Sequence, residues 1–157
     1  LHRLDLDRTD LKILRFLQAH GRASNLELAE AASLSPAQCL RRHRRLEELG
    51  LIARYETRLD PVAMGFQVVA FIHVAMEKGH LREMPKFRDL IADIPEVQEC
   101  YSVTGDFDYV IKIIAHDLKS LSVFLMNTLM PLPGVSSVRS SVCLDEIKCT
   151  SALPLAE

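Results

Sequence analysis

Leu11, Leu14 and Leu17 recur at helical spacing between the capping pair Asp7 and Asp10 and the stop at Gly21, which predicts a helix over about residues 8–19. Ser24 and Glu27 form a second S-x-x-E box. Leu26, Leu28, Ala29 and Ala32 follow it with the spacing of a helix of about two turns. Ser35 and Gln38 supply a third box, with Pro36 at the first helical position, where the missing N–H costs nothing. That helix should run from Pro36 to about Leu49 and stop at Gly50. Two helices separated by Ser33-Leu34-Ser35 make a helix-turn-helix, whose second member is shaped to enter a DNA major groove. LIARYETRLDP, residues 51–61, reads as a strand leaving the helices as a reduced wing, and Asp60-Pro61 and Gly65 mark a boundary.

Beyond residue 66 the apolar period changes. FQVVAFIHVAM reads as a largely buried strand, LREMPKFRDLIADI as a helix ending before Pro95, and VQECYSVTG as a strand. FDYVIKIIA alternates as another strand, LKSLSVFLMNTLM is an amphipathic helix, and VSSVRSSVCLDEI is a long final strand. The order β-α-β-β-α-β is that of a ferredoxin-like sandwich, so the expected class is α+β: a winged helix-turn-helix over residues 1–60 and a sandwich over 61–157. Helices on one sheet face leave the other open, and a second copy of the chain is the simplest cover.

Composition divides the chain in the same place. The net charge of -2 conceals eleven Lys/Arg against nine Asp/Glu in residues 1–60 and eight against twelve in the remainder. No apolar run approaches the roughly 18–20 residues that span a bilayer, and no signal-like segment opens the chain, so a cytoplasmic setting is expected, with no membrane partner. Cys39, Cys100, Cys143 and Cys149 contain no C-x-x-C pair and read as unpaired thiols.

The densest chemistry is RRHRR, residues 41–45. At about 100° per residue, Pro36, Cys39, Leu40, His43 and Leu46 gather on one side of the third helix and Gln38, Arg41, Arg42 and Arg45 on the other, with Arg44 on a flank. Arginine grips phosphates or guanine O6/N7, and glutamine pairs with adenine N6/N7. A solvated charged face offset by Glu47 and Glu48 is the bland alternative, and the helix-turn-helix setting favours double-stranded DNA over it. His43 points inward, and with Cys39 it makes two ligands, too few for structural zinc. The remaining histidines show no ligand spacing, and no nucleophile-base pair or cofactor loop is evident, so neither an enzyme nor a cofactor or metal is expected. In TGDFDY, Gly105-Asp106 between alternating strands is a hairpin signal that needs no ligand.

The stretch LDRTDLKILRFLQAHGRASNLELAEAASLSPAQCLRRHRRLEELGLIARYETRLDP, continued by VQECYSVTGDFDYVIKI and LDEIKCTSALPL, resembles the leucine-responsive regulatory protein and asparagine-regulator (Lrp/AsnC) family, the feast/famine regulators. The resemblance implies a transcription regulator with an amino-acid-sensing carboxy-terminal domain, dimerising through its sheets and commonly assembling to an octamer. It implies a DNA-facing set of Ser35, Gln38, Arg41, Arg42 and Arg45, with Arg44 adjoining. It also implies an effector pocket at Tyr101, Thr104, Gly105, Asp106 and Asp108, where carboxylates receive an α-ammonium and N–H groups a carboxylate. His43 departs from the aliphatic residue usual in the family at that position. The alternative of another class is an amino-acid-sensing assembly protein whose helix-turn-helix is only a protein interface, which would bind no DNA selectively.

Overall fold

The computed structural model describes residues 6–77 and 84–155. They fall into two units, one running through Arg58 and including the segment from Lys148, the other spanning Leu59–Ile147.

The first unit holds α1 (Arg8–Ala19), α2 (Asn25–Ala32) and α3 (Pro36–Glu48). Each starts with a reciprocal box that satisfies backbone donors otherwise orphaned at a helix end: Asp7 with Asp10, Ser24 with Glu27, Ser35 with Gln38. Ser33 closes α2 at φ 56°, left-handed backbone in which a non-glycine residue is uncommon, and this lets Leu34 N–H return to the Ala29 carbonyl at 2.9 Å. Asn25 Nδ2 donates to the Pro36 carbonyl at 2.9 Å, tying the start of α2 to the start of α3. Ile13, Leu28, Ala29, Ala32, Cys39 and Leu46 form the buried core, with Leu14, Leu17, Leu51 and Ile52 packed around it.

Residues 51–61 do not form the expected strand. Leu51 and Ile52 are drawn onto the helical core, and Leu51 N–H bonds the Leu46 carbonyl at 3.1 Å. A strand needs a ladder partner, and the described residues of this unit contain no other strand. The segment from Lys148 meets α1 instead: the Gln18 amide accepts from Leu153 N–H at 2.6 Å and donates to the Leu153 carbonyl at 3.2 Å.

The second unit is a four-stranded antiparallel sheet in the order β2-β3-β1-β4, formed by β1 (Val68–Met76), β2 (Val97–Ser102), β3 (Tyr109–Ala115) and β4 (Val135–Val142). Among the described residues two helices accompany it, α4 (Met84–Ala92) and α5 (Leu118–Phe124). The expected helix over 81–94 begins within residues outside those described; its described part ends at Ala92. α5 continues as a wider turn, Leu125–Leu129, in which Met130 N–H reaches the Leu125 carbonyl five residues back at 2.9 Å. The final strand stops at Val142, short of the expected Ile147.

Strict alternation assigns the two sheet faces. Val68, Ala70, Ile72 and Val74 of β1 and Tyr109, Ile111, Ile113 and Ala115 of β3 are buried with Phe87, Ile91, Leu121, Phe124 and Leu129. Phe71, His73 and Lys112 take the opposite face, where register pairs His73 with Arg139 and Phe71 with Ser141. No helix among the described residues is long and apolar enough to cross a membrane.

Candidate functional site

The exposed face of α3 is not quite the face that a helical wheel assigns. Arg41 and Arg44 are exposed and make no ion pair among the described residues; with Ala37, Leu40, Arg45 and Glu48 they line one shallow groove. Leu40, expected inside, is 39% exposed, and Arg44, expected on a flank, belongs to the outward set. Ser35 and Gln38 are exposed at the amino end, where Gln38 Oε1 accepts from the Ser35 hydroxyl at 3.1 Å.

Arg42 does not point outward. Its Nη1 donates to Asp7 Oδ2 at 2.7 Å and to Asp10 Oδ1 at 2.8 Å, and Arg45 Nη1 reaches Asp10 Oδ2 at 3.2 Å. The Asp10 side chain is only 1% exposed, so α1 holds a buried carboxylate against two arginines of α3. Burying a carboxylate is costly unless it is paired and hydrogen-bonded, and this one is. The Asp10 backbone N–H, followed by Arg42, holds the Asp7 carboxyl below its ordinary range, while hydrogen bonds to Asp10 and then Asp7 push Arg42 up. Of the four arginines, Arg42 and Arg45 orient the helix on its scaffold, leaving Arg41 and Arg44 as the outward pair.

His43 is satisfied by a partner the sequence does not advertise. Its Nε2 lies 2.6 Å from the Tyr55 hydroxyl, which donates to Glu47 Oε1 at 3.0 Å. Burial and then Glu47 push Tyr55 up to about 12, so the phenol keeps its proton. Among the described residues no group of three His, Cys, Asp or Glu is placed to hold a metal. All four cysteines are free thiols.

In the second unit, Thr104, Gly105 and Asp106 form the exposed tip between β2 and β3. Gly105 sits at φ 117°, in backbone that favours glycine, and a Cβ there would meet open space. Asp108 is tied down: its Oδ2 accepts from Met76 N–H at 2.7 Å and its own N–H donates to the Val74 carbonyl at 2.9 Å. Tyr101 is 57% exposed, with its hydroxyl donating to Glu99 Oε2 at 2.8 Å, an acceptor that raises the phenol. Asp106 is exposed. Phe107, absent from the sequence-derived set, lies 5.2 Å from the His73 ring with the Arg139 guanidinium 5.3 Å from its centroid, and so joins the loop to the open sheet face. Its period-2 position gave no sign of this, because FDY continues the alternation into β3.

Three capped helices with an arginine-lined outer face, followed by an antiparallel sandwich bearing an acidic glycine loop, define a DNA-binding module joined to a ligand-binding one. A winged helix-turn-helix DNA-binding family matches residues 6–53, and the Lrp/AsnC ligand binding domain matches residues 69–153. The leucine-responsive regulatory protein of Escherichia coli (strain K12) is 38% identical over 149 residues, covering 95% of this chain and 91% of that protein. The Bkd operon transcriptional regulator of Pseudomonas aeruginosa is 40% identical over 151 residues, covering 96% and 99%. Among solved structures, the transcriptional regulator NMB0573/L-Met complex from Neisseria meningitidis superposes with a TM-score of 0.92 at 39% identity, covering 95% of this chain and 96% of that one. The chain belongs to the Lrp/AsnC family of feast/famine transcriptional regulators. It is a DNA-binding regulator of that family, not an enzyme, and its second unit carries the family's ligand-binding domain.

Proposed function

We propose that Ser35, Gln38, Arg41 and Arg44 form the surface that meets double-stranded DNA, with Arg45 at its edge and Arg42 holding α3 in place from behind. The observation that carries this reading is the division of the arginines: Arg42 is spent on Asp7 and Asp10, while Arg41 and Arg44 stay exposed on one face. Arginine supplies bidentate contacts to phosphate or guanine, and the Gln38 amide suits adenine. The unit running through Arg58, with the segment from Lys148, serves as the DNA-binding domain and the unit Leu59–Ile147 as the effector and assembly domain in this reading.

The effector is an apolar α-amino acid of the leucine or methionine kind. Supporting this are a 38% identical relative called leucine-responsive and a 39% identical relative solved with L-Met. Asp106 would receive the α-ammonium and N–H groups around Gly105 the α-carboxylate. Thr104 and Tyr101 flank that position, and Asp108 fixes the loop through Met76. The sheet face bearing Phe71, His73, Lys112 and Arg139 pairs with the same face of a second chain, and dimers assemble further to an octamer. A symmetric dimer with recognition helices about 34–36 Å apart would read palindromic half-sites.

The test is a titration of genomic fragments at several salt concentrations with wild-type protein, Arg41→Ala and Arg44→Ala, with and without leucine or methionine, paired with sedimentation. Each substitution should weaken binding to the wild-type-selected fragment and reduce its salt dependence. Unchanged affinity and salt slope in both variants would remove this face from the docking surface.

A further inference from the structure

We infer that His43, acting through Tyr55, is a positioning residue for DNA docking that fixes the segment after the recognition helix and, with it, Arg54. The inference rests on the α3 docking face proposed above. It starts from the direction of the hydrogen bonds. A phenol has one proton, and Tyr55 gives it to the Glu47 carboxylate at 3.0 Å. Its oxygen can therefore only accept from His43, at 2.6 Å, which places a proton on His43 Nε2. The chain His43 to Tyr55 to Glu47 is polar, directed and closed on α3, since His43 and Glu47 lie one turn apart on that helix.

Beyond Ile52, which packs on the helical core, that chain is what ties the segment to α3 among the described residues. After Leu51 N–H, no backbone hydrogen bond from residues 52–58 reaches α3 among the described residues, and Tyr55 is 52% exposed, so its ring packing alone secures little. Arg54 is bonded covalently to the anchored Tyr55. Its side chain is 77% exposed and, among the described residues, paired at 2.6 Å only with Glu56, itself 59% exposed. Such a surface pair is weak and salt-sensitive, so a DNA phosphate can replace Glu56 on Arg54. Anchoring Tyr55 to the helix that carries Arg41 and Arg44 gives Arg54 a defined position beside them. An aliphatic residue at position 43 could not donate to the phenol, so this link belongs to a chain with a donor there.

The test uses the full chain and a genomic fragment selected by the wild-type protein. Tyr55→Phe, His43→Leu and Arg54→Ala should each weaken binding about 3- to 10-fold, the scale of one hydrogen bond or phosphate contact, and lower the salt slope by about 1. The double variant Tyr55→Phe/His43→Leu should be no weaker than either single one, and His43→Gln, which keeps an N–H donor, should restore most of the slope. Melting curves identify folded protein; Tyr55→Phe keeps the ring and loses only the hydroxyl. Wild-type affinity and slope in folded Tyr55→Phe and His43→Leu would overturn the inference while leaving the docking face intact. If Arg41→Ala also kept wild-type binding, the docking face would fall with it.

Discussion

Replacing Arg42 with alanine should damage the stability of the first unit far more than its contact with DNA. The substitution removes the 2.7 Å bond to Asp7 and the 2.8 Å bond to Asp10, and leaves the Asp10 carboxylate, 1% exposed, with Arg45 at 3.2 Å. Breaking a fully buried pair from one side costs roughly 3–5 kcal/mol, because the other charge stays uncompensated. Arg42 itself is 28% exposed, and Arg45 remains beside Asp10, so water and the second guanidinium recover part of that. The expected loss is about 1–3 kcal/mol. For a small domain each kcal/mol moves the melting temperature by roughly 4–8 °C, so a drop on the order of 5–20 °C should appear in calorimetry. Urea unfolding should show a lower midpoint with an unchanged slope. Arg41→Ala should do the reverse, keeping the melting temperature within about a degree or two and losing about tenfold in DNA affinity. An Arg42→Ala protein as stable as wild type, with its DNA affinity abolished at a temperature where it is folded, would refute the assignment of Arg42 to the scaffold.

Acid should weaken the same helix junction. Because the Asp7 carboxyl is held below its ordinary value of 3.8, its stabilisation is complete above that value and is lost as pH falls below it. Asp7→Asn should therefore flatten the stability curve below about pH 4 while losing stability near neutrality, and an unchanged acid limb in urea titrations would contradict the pairing. Gly105→Ala should destabilise the second unit by about 1–2 kcal/mol through its φ of 117° and not through a clash, since open space surrounds the added methyl; an unchanged melting temperature would show that the loop relaxes. Asp106→Ala should weaken leucine or methionine binding at least tenfold in calorimetric titration while preserving the fold, and retained affinity would remove Asp106 from the pocket.

Local signals were the legible ones. All three capping boxes stand where the S-x-x-E, S-x-x-Q and D-x-x-D spacings put them, and the alternation of YVIKIIA correctly separates its buried from its open positions. Contacts distant in sequence were not. A helical wheel fixes angles between residues but not which direction faces the scaffold, and the partner that turns Arg42 inward, Asp10, lies 32 residues earlier. LIARYETRLDP has the composition of a strand, yet strand formation depends on a partner that the described residues of its unit do not supply. The loop residues were visible as a turn, but the load on Asp108 comes from Met76 across the sheet, and Phe107 reaches His73 and Arg139 through pairings that only the fold creates. Gln18 likewise finds Leu153 across 135 residues.

The most direct test of the central claim is equilibrium binding of the full chain to a library of genomic fragments at fixed salt, repeated with leucine, methionine and a polar amino acid such as aspartate. Selective binding to a subset of fragments, weakened by Arg41→Ala and shifted by leucine or methionine but not by aspartate, is the predicted result. Equal affinity for all fragments, unaffected by every amino acid, would contradict an effector-controlled regulator that reads DNA through α3.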